Sequence, residues 1–186
     1  DGMFQLWETS TGKRLDEWAG RLSGIGSRIA ATPDLVATME PNGVCRLRRL
    51  ATRRSEVFAT GLREVGGLGF APDGSELAIV SGSGHALVLR TDPFSKDSVL
   101  GGFLLGIHGV GFSPNGDRLA LGSNGREAVK LFDVRYKQEL LTLEGQGTFF
   151  HRVAFGPEGE WLGAMSREGR LHLWHAADLN MIDELF

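Results

Sequence analysis

The chain has 186 residues, 41% of them hydrophobic and 23% charged, enough to bury a sizeable core and ordinary for a soluble globular protein. A formal net charge of −3 and a pI near 6.0 exclude a global attraction to nucleic acid or to an anionic membrane surface. The single cysteine, Cys45, excludes an intrachain disulfide and a cysteine-based zinc cluster, and no apolar run approaches membrane-spanning length.

In chain order, DGMFQLWE (1–8) reads as the third strand of a four-stranded unit and KRLDEW (13–18) as its fourth, giving a half unit over 1–20. Four complete units follow, at about 25–61, 64–103, 107–144 and 149–186. The first opens on RIAATPDLVATME, the second on GLGFAPDGSELAIVSG, the third on GVGFSPNGDRLALGS and the fourth on RVAFGPEGEWLGAMS. Their anchor prolines, Pro33, Pro72, Pro114 and Pro157, are spaced by 39, 42 and 43 residues. A second anchor is independent of the first. Leu6, Leu47, Leu89, Leu131 and Leu173, in MFQLWE, VCRLRR, ALVLRT, AVKLFD and RLHLWH, are spaced by 41, 42, 42 and 42 residues. Two anchors that keep one period identify an internal repeat.

Each repeat reads as four strands; in the third copy they are HGVGFS, RLALGS, AVKLFD and QELLTL, and MIDELF is the fourth strand of the last copy. Proline presets the first turn position of Pro-Asp-Gly, Pro-Asn-Gly and Pro-Glu-Gly, and Gly74, Gly116 and Gly159 supply the left-handed residue that closes each hairpin. A second turn falls at Gly43, Gly84, Gly125 and Gly169, which accounts for much of a total of 27 glycines. Runs such as LAIV and LALG are apolar at consecutive positions, so these strands are covered on both faces. A four-stranded meander cannot cover itself. Stacking copies around an axis does.

Over essentially its whole length the chain resembles the WD40 family, whose third strands end in Trp-Asp. The Trp position holds Trp7, Arg48, Arg90, Phe132 and Trp174, and the Asp position holds Glu8, Arg49, Thr91, Asp133 and His175. The Gly-His dipeptide of the family is missing, and the Asp before the third-strand glycine survives only in Asp1-Gly2. The resemblance implies an all-β fold, a β-propeller of four complete four-stranded blades plus half a blade. It also implies that packing replaces most of the family's buried hydrogen-bond network, with Ser123 and Ser166 as remnants. The expected state is the C-terminal part of a longer propeller, or a fragment closed by a second copy, with an apolar blade face or strand edge exposed.

The chain has no GxxxxGK[ST], GxSxG or HExxH, and the Gly-rich Ser81-Gly82-Ser83-Gly84 stretch is a turn between strands. His172 and His175 are three apart on one strand and point to opposite faces. His108 and His151 each precede an anchor phenylalanine, Phe112 or Phe155, by four residues, which places them on adjacent first strands. They are read as a ligand or partner contact at the channel mouth, or as partly buried structural histidines. Arg46, Arg48, Arg49, Arg53 and Arg54 form the densest charge run, a basic patch or a solvated strand, and no aromatics interleave it as nucleic-acid binding would want. In Phe149-Phe150 one ring is expected inward and the other as an exposed anchor.

The resemblance implies a protein-interaction scaffold with no catalysis, metal or cofactor of its own, cytoplasmic, binding neither nucleic acid nor membrane. Its partner is another protein, a second copy or the upstream blades. The partner face maps to His85, His108, Asn124, Arg126, Phe150, His151, Arg152, Arg167 and Glu168. The alternative is the C-terminal sensor propeller of a larger bacterial signalling protein such as a serine/threonine kinase, because the third and fourth copies resemble bacterial members of the family.

Overall fold

A computed structural model describes residues 2–22 and 28–175. The described chain is all-β, in five antiparallel sheets that follow one another in sequence. Strands β1 (Met3–Trp7) and β2 (Arg14–Ala19) form the first sheet. The second holds β3 (Ile29–Ala31), β4 (Leu35–Glu40), β5 (Val44–Arg49) and β6 (Arg54–Ala59). The third holds β7 (Val65–Phe70), β8 (Glu76–Ser81), β9 (Ala86–Thr91) and β10 (Phe94–Leu100). The fourth holds β11 (Gly109–Phe112), β12 (Arg118–Gly122), β13 (Glu127–Asp133) and β14 (Glu139–Glu144), and the fifth β15 (Arg152–Phe155), β16 (Trp161–Met165) and β17 (Leu171–His175). Each sheet is a simple meander, and the one helical turn among the described residues is Pro41–Gly43. Asp1 and the expected closing strand MIDELF lie outside the described residues.

The turn chemistry read from the sequence is what the backbone uses. Gly74 closes the β7–β8 hairpin at φ +74° and Gly84 the β8–β9 turn at φ +80°, a region where a Cβ is strained. The period-two geometry of a strand then explains the continuous apolar runs. In β8, Leu77 and Ile79 join the core between the second and third sheets, whereas Ala78 and Val80 join the core between the third and fourth. All four are fully buried. At about 1.5–3 kcal/mol for each large aliphatic side chain, this burial on two fronts is the main force holding the sheets face to face. A third core, with Val129, Phe150, Val153 and Leu162, lies between the fourth and fifth sheets.

First strands are neighbours at each step: β3 lies beside β7, β7 beside β11 and β11 beside β15. Glycine permits that closeness. A Cβ on Gly66 would stand 2.4 Å from the Ile107 carbonyl oxygen, and one on Gly111 2.8 Å from that of Val153. The glycine richness thus has a second source besides turns. Fourth strands are mostly exposed, as β6 and β14 show. Among the described residues, each of the two terminal sheets is packed against a neighbouring sheet on one face only. Met3, Trp7 and Leu15 stand exposed at one end of the series and Trp161, Leu171 and Leu173 at the other.

The arginine run is not a free basic patch. Arg46 pairs with Glu40 at 2.5 Å, Arg48 with Asp16 at 2.7 Å and Arg49 with Glu56 at 3.0 Å, while Arg53 lies 3.9 Å from Asp16. Arg48, at the Trp position of its repeat, also covers the Trp18 ring at 4.5 Å, so it ties the second sheet to the first. Its hydrogen bond holds the Asp16 carboxyl below the usual carboxylate range. The third and fourth sheets are tied in the same way, by Lys137 reaching Glu76 at 2.6 Å and Asp97 at 3.5 Å. Cys45 is buried, and burial pushes its thiol up to about 12, which makes it an inert packing group.

Candidate interaction face

The turns between second and third strands and the loops from fourth to first strands lie at one end of the sheets. There the β10–β11 loop, the β12–β13 turn, the β14–β15 loop and the β16–β17 turn bring His108, Asn124, Phe149, His151, Arg167 and Glu168 together. The contacts determine one another. Asn124 Oδ1 accepts the Phe149 N–H at 2.6 Å, which leaves Asn124 Nδ2 to donate to His108 Nε2 at 3.2 Å. His108 is therefore the neutral tautomer with its proton on Nδ1. Its ring lies 4.6 Å from that of Phe149, and the Arg167 guanidinium sits 5.6 Å from the same ring. His151 Nδ1 donates to the Phe149 carbonyl at 3.1 Å.

Phe149 is held by contacts on several sides because its backbone requires it. It adopts φ +49°, a left-handed conformation that costs a bulky residue on the order of 1 kcal/mol or more. Its ring remains 39% exposed, whereas Phe150 is fully buried. Glu168 accepts the Thr148 N–H at 2.9 Å and the Thr148 hydroxyl, and these bonds bring its carboxyl down to about 2. The acid fastens the loop while remaining exposed and charged.

The nine residues expected on the face therefore divide. His108, Asn124, His151, Arg167 and Glu168 form one cluster. Phe150 is a correction: its ring belongs to the core between the fourth and fifth sheets, edge-on to His172 at 5.5 Å, and Phe149 takes the surface place. Adjacent loop residues carry no period, so the order of the two rings could not be read from the sequence. His85, with Nδ1 against Ser83 O at 3.1 Å, and Arg126, paired with Glu144 at 3.1 Å, stand apart from the cluster. Arg152 starts β15 with its side chain exposed and makes no hydrogen bond or ion pair among the described residues. Thr148, which fastens Glu168, gave no sequence signal.

Burial, reinforced by the nearby His151, lowers the His108 pKa below 6.5. Folded protein then takes up this proton less readily than unfolded chain, so the group's contribution to stability is complete above about 6.5 and is lost as pH falls below it. We expect the His108 ring to titrate below 6.5 in a proton-NMR series, with the Asn124 side-chain amide moving in step. A midpoint above 6.5 would refute the neutral tautomer.

At the opposite end of the sheets, the third and fourth sheets enclose a cleft of about 660 Å³ lined by Asp73, Glu76, Arg90, Asp97, Asn115 and Lys137. Its central charges are spent on one another: Arg90 lies 2.9 Å from Asp97, beside the Lys137 pairs. Among the described residues, no three His, Cys, Asp or Glu side chains are grouped to hold a metal ion, and no helix is long and apolar enough to cross a membrane. No known protein family's model matches the chain, and no curated protein matches it.

Proposed function

We propose that the sheets are blades of a WD40-type β-propeller and that the chain is a protein-interaction scaffold, with its docking face at the His108–Phe149–Arg167 cluster. The blade reading is supported by the repeat near 42 residues, the meander order within each sheet and the line of neighbouring first strands. In this reading the exposed apolar faces of the two terminal sheets are blade faces that further blades or a second copy would cover.

One observation carries the functional part. Phe149 keeps a large ring at the surface, in a strained backbone conformation, with an arginine laid over it. Folding gains little from such an arrangement. Aromatic and arginine side chains, however, dominate the energetics of protein interfaces, and local strain concentrates where function requires it.

The test places the photo-crosslinker p-benzoylphenylalanine at Phe149, or at Tyr136 on the opposite end of the sheets, in the full protein inside its own cells. A discrete adduct with another protein from position 149 and none from 136 is expected. Adducts from 136 alone, or equal patterns from both, would overturn the docking face. Electron micrographs of the same preparation should show a disc with a central opening; an elongated stack of sheets would overturn the blade reading alone.

A further inference from the structure

We infer that the segment taken up at this face is an acidic peptide, with a carboxylate on Arg167 and an adjoining apolar residue against Phe149. This rests on the docking face proposed above and adds the chemistry of what docks there.

The local charges decide the sign. Arg167 is exposed, its guanidinium lies 5.6 Å from the Phe149 ring centre, and it makes no side-chain hydrogen bond or ion pair among the described residues. A guanidinium with no partner of its own can take both oxygens of a carboxylate in its planar fork. Arg170, three positions on, bonds only the neutral Gln146 among the described residues, at 3.3 Å. His151 donates from Nδ1 to the Phe149 carbonyl, which leaves Nε2 as an acceptor for a peptide N–H and not a donor to the carboxylate. Of the nearby acids, Glu144 is paired with Arg126, while Glu168, bonded to the neutral Thr148, keeps its negative charge and is outweighed by Arg167 and Arg170 together.

The chain as a whole carries a net charge of −3, so any attraction for an acidic segment has to be local. Screening over roughly 8–10 Å at physiological salt makes that possible, because carboxylates elsewhere on the molecule are not felt at Arg167. Nucleic acid is less well matched. A strand needs a row of cations along its backbone and several rings for stacking, and the face offers one exposed ring and two arginines.

The experiment follows amide NMR shifts of the intact labelled chain titrated at low salt with three probes. These are the peptide Ser-Glu-Glu-Leu-Glu-Asp-Glu-Ser, the same peptide with every acid changed to its amide, and a short oligothymidylate. The acidic peptide is expected to move Phe149, Arg167 and Glu168 with a Kd below about 1 mM, an ordinary affinity for one anchor point. Arg167→Gln should weaken it about fivefold or more, since a charge-assisted fork is lost. Arg135→Gln removes the same charge at the far end of the sheets and should change the affinity less than about twofold.

Equal loss from both variants would reduce the effect to net charge and overturn the inference. Equal binding of the amide peptide at Phe149 would overturn it while leaving the docking face intact. Preferential binding of the oligonucleotide would overturn it in favour of a nucleic-acid ligand. Silence from all three probes would also overturn it, and the adduct from position 149 would then decide separately whether the face docks proteins.

Discussion

Phe150→Ala is expected to lower the unfolding free energy by about 3–5 kcal/mol, read as a drop in the urea midpoint at unchanged slope. The ring is fully buried with Ala120, Ala128, Val129, Leu131, Val153, Leu162 and Ala164, and it packs edge-on to His172. Its backbone is fixed as well: the Phe150 N–H donates to Ser123 O at 2.9 Å, and a Cβ on Gly122 would stand 2.3 Å from the Phe150 carbonyl oxygen. With its own backbone pinned, position 150 cannot shift to let its neighbours fill the space that a lost ring leaves, so the cavity penalty adds to the transfer term. Against a total stability of about 5–15 kcal/mol for a typical domain, this is a large share. Phe149→Ala should cost less than about 1 kcal/mol, because its ring is at the surface. Equal costs for the two variants would refute the assignment of one ring inward and one outward.

Gly66→Ala should destabilise by about 2–3 kcal/mol, the upper part of the range for overpacking, although alanine is the smallest possible change. Its Cβ would lie 2.4 Å from the Ile107 carbonyl oxygen and 2.9 Å from the His108 Cα. Both are main-chain atoms of the next repeat, so two sheets must separate to accommodate a methyl group. Gly67 is the internal control. A Cβ there meets nothing closer than 3.6 Å, an ordinary contact, and Gly67→Ala should stay within about 1 kcal/mol of the parent chain. The comparison holds strand, residue type and chemistry fixed. If both substitutions cost the same, close approach of first strands is not what the glycine serves.

These two cases also mark how far the sequence could be read. Strands, hairpin glycines and the two-sided burial of LAIV and LALG were legible, because each depends on local spacing or on a period of two. The fold class followed from them. Gly66 and the glycines of GVGF invite a turn or bulge reading, since nothing local reveals that the backbone of the next repeat lies against them. The same limit hid the partner of Arg48. Asp16 is 32 residues away, and only the juxtaposition of two sheets brings it to Arg48 and Arg53. At the candidate face the sequence supplied His108, Asn124, His151, Arg167 and Glu168 from positional equivalence between repeats. It could not order Phe149 and Phe150, nor show that Glu168 is engaged by Thr148.

Alternate residues of β8 serve two different cores, and the same is true of β12, where Leu119 and Leu121 face one way and Ala120 the other. There is consequently no single centre whose loss melts the whole molecule. Cohesion passes from layer to layer like links in a chain, and a defect in one layer weakens only the two sheets it joins. Such an object frays from its ends and, under tension, would give way in steps, one sheet at a time. The third sheet, in the middle of the series with a core on either face, would be the last to yield.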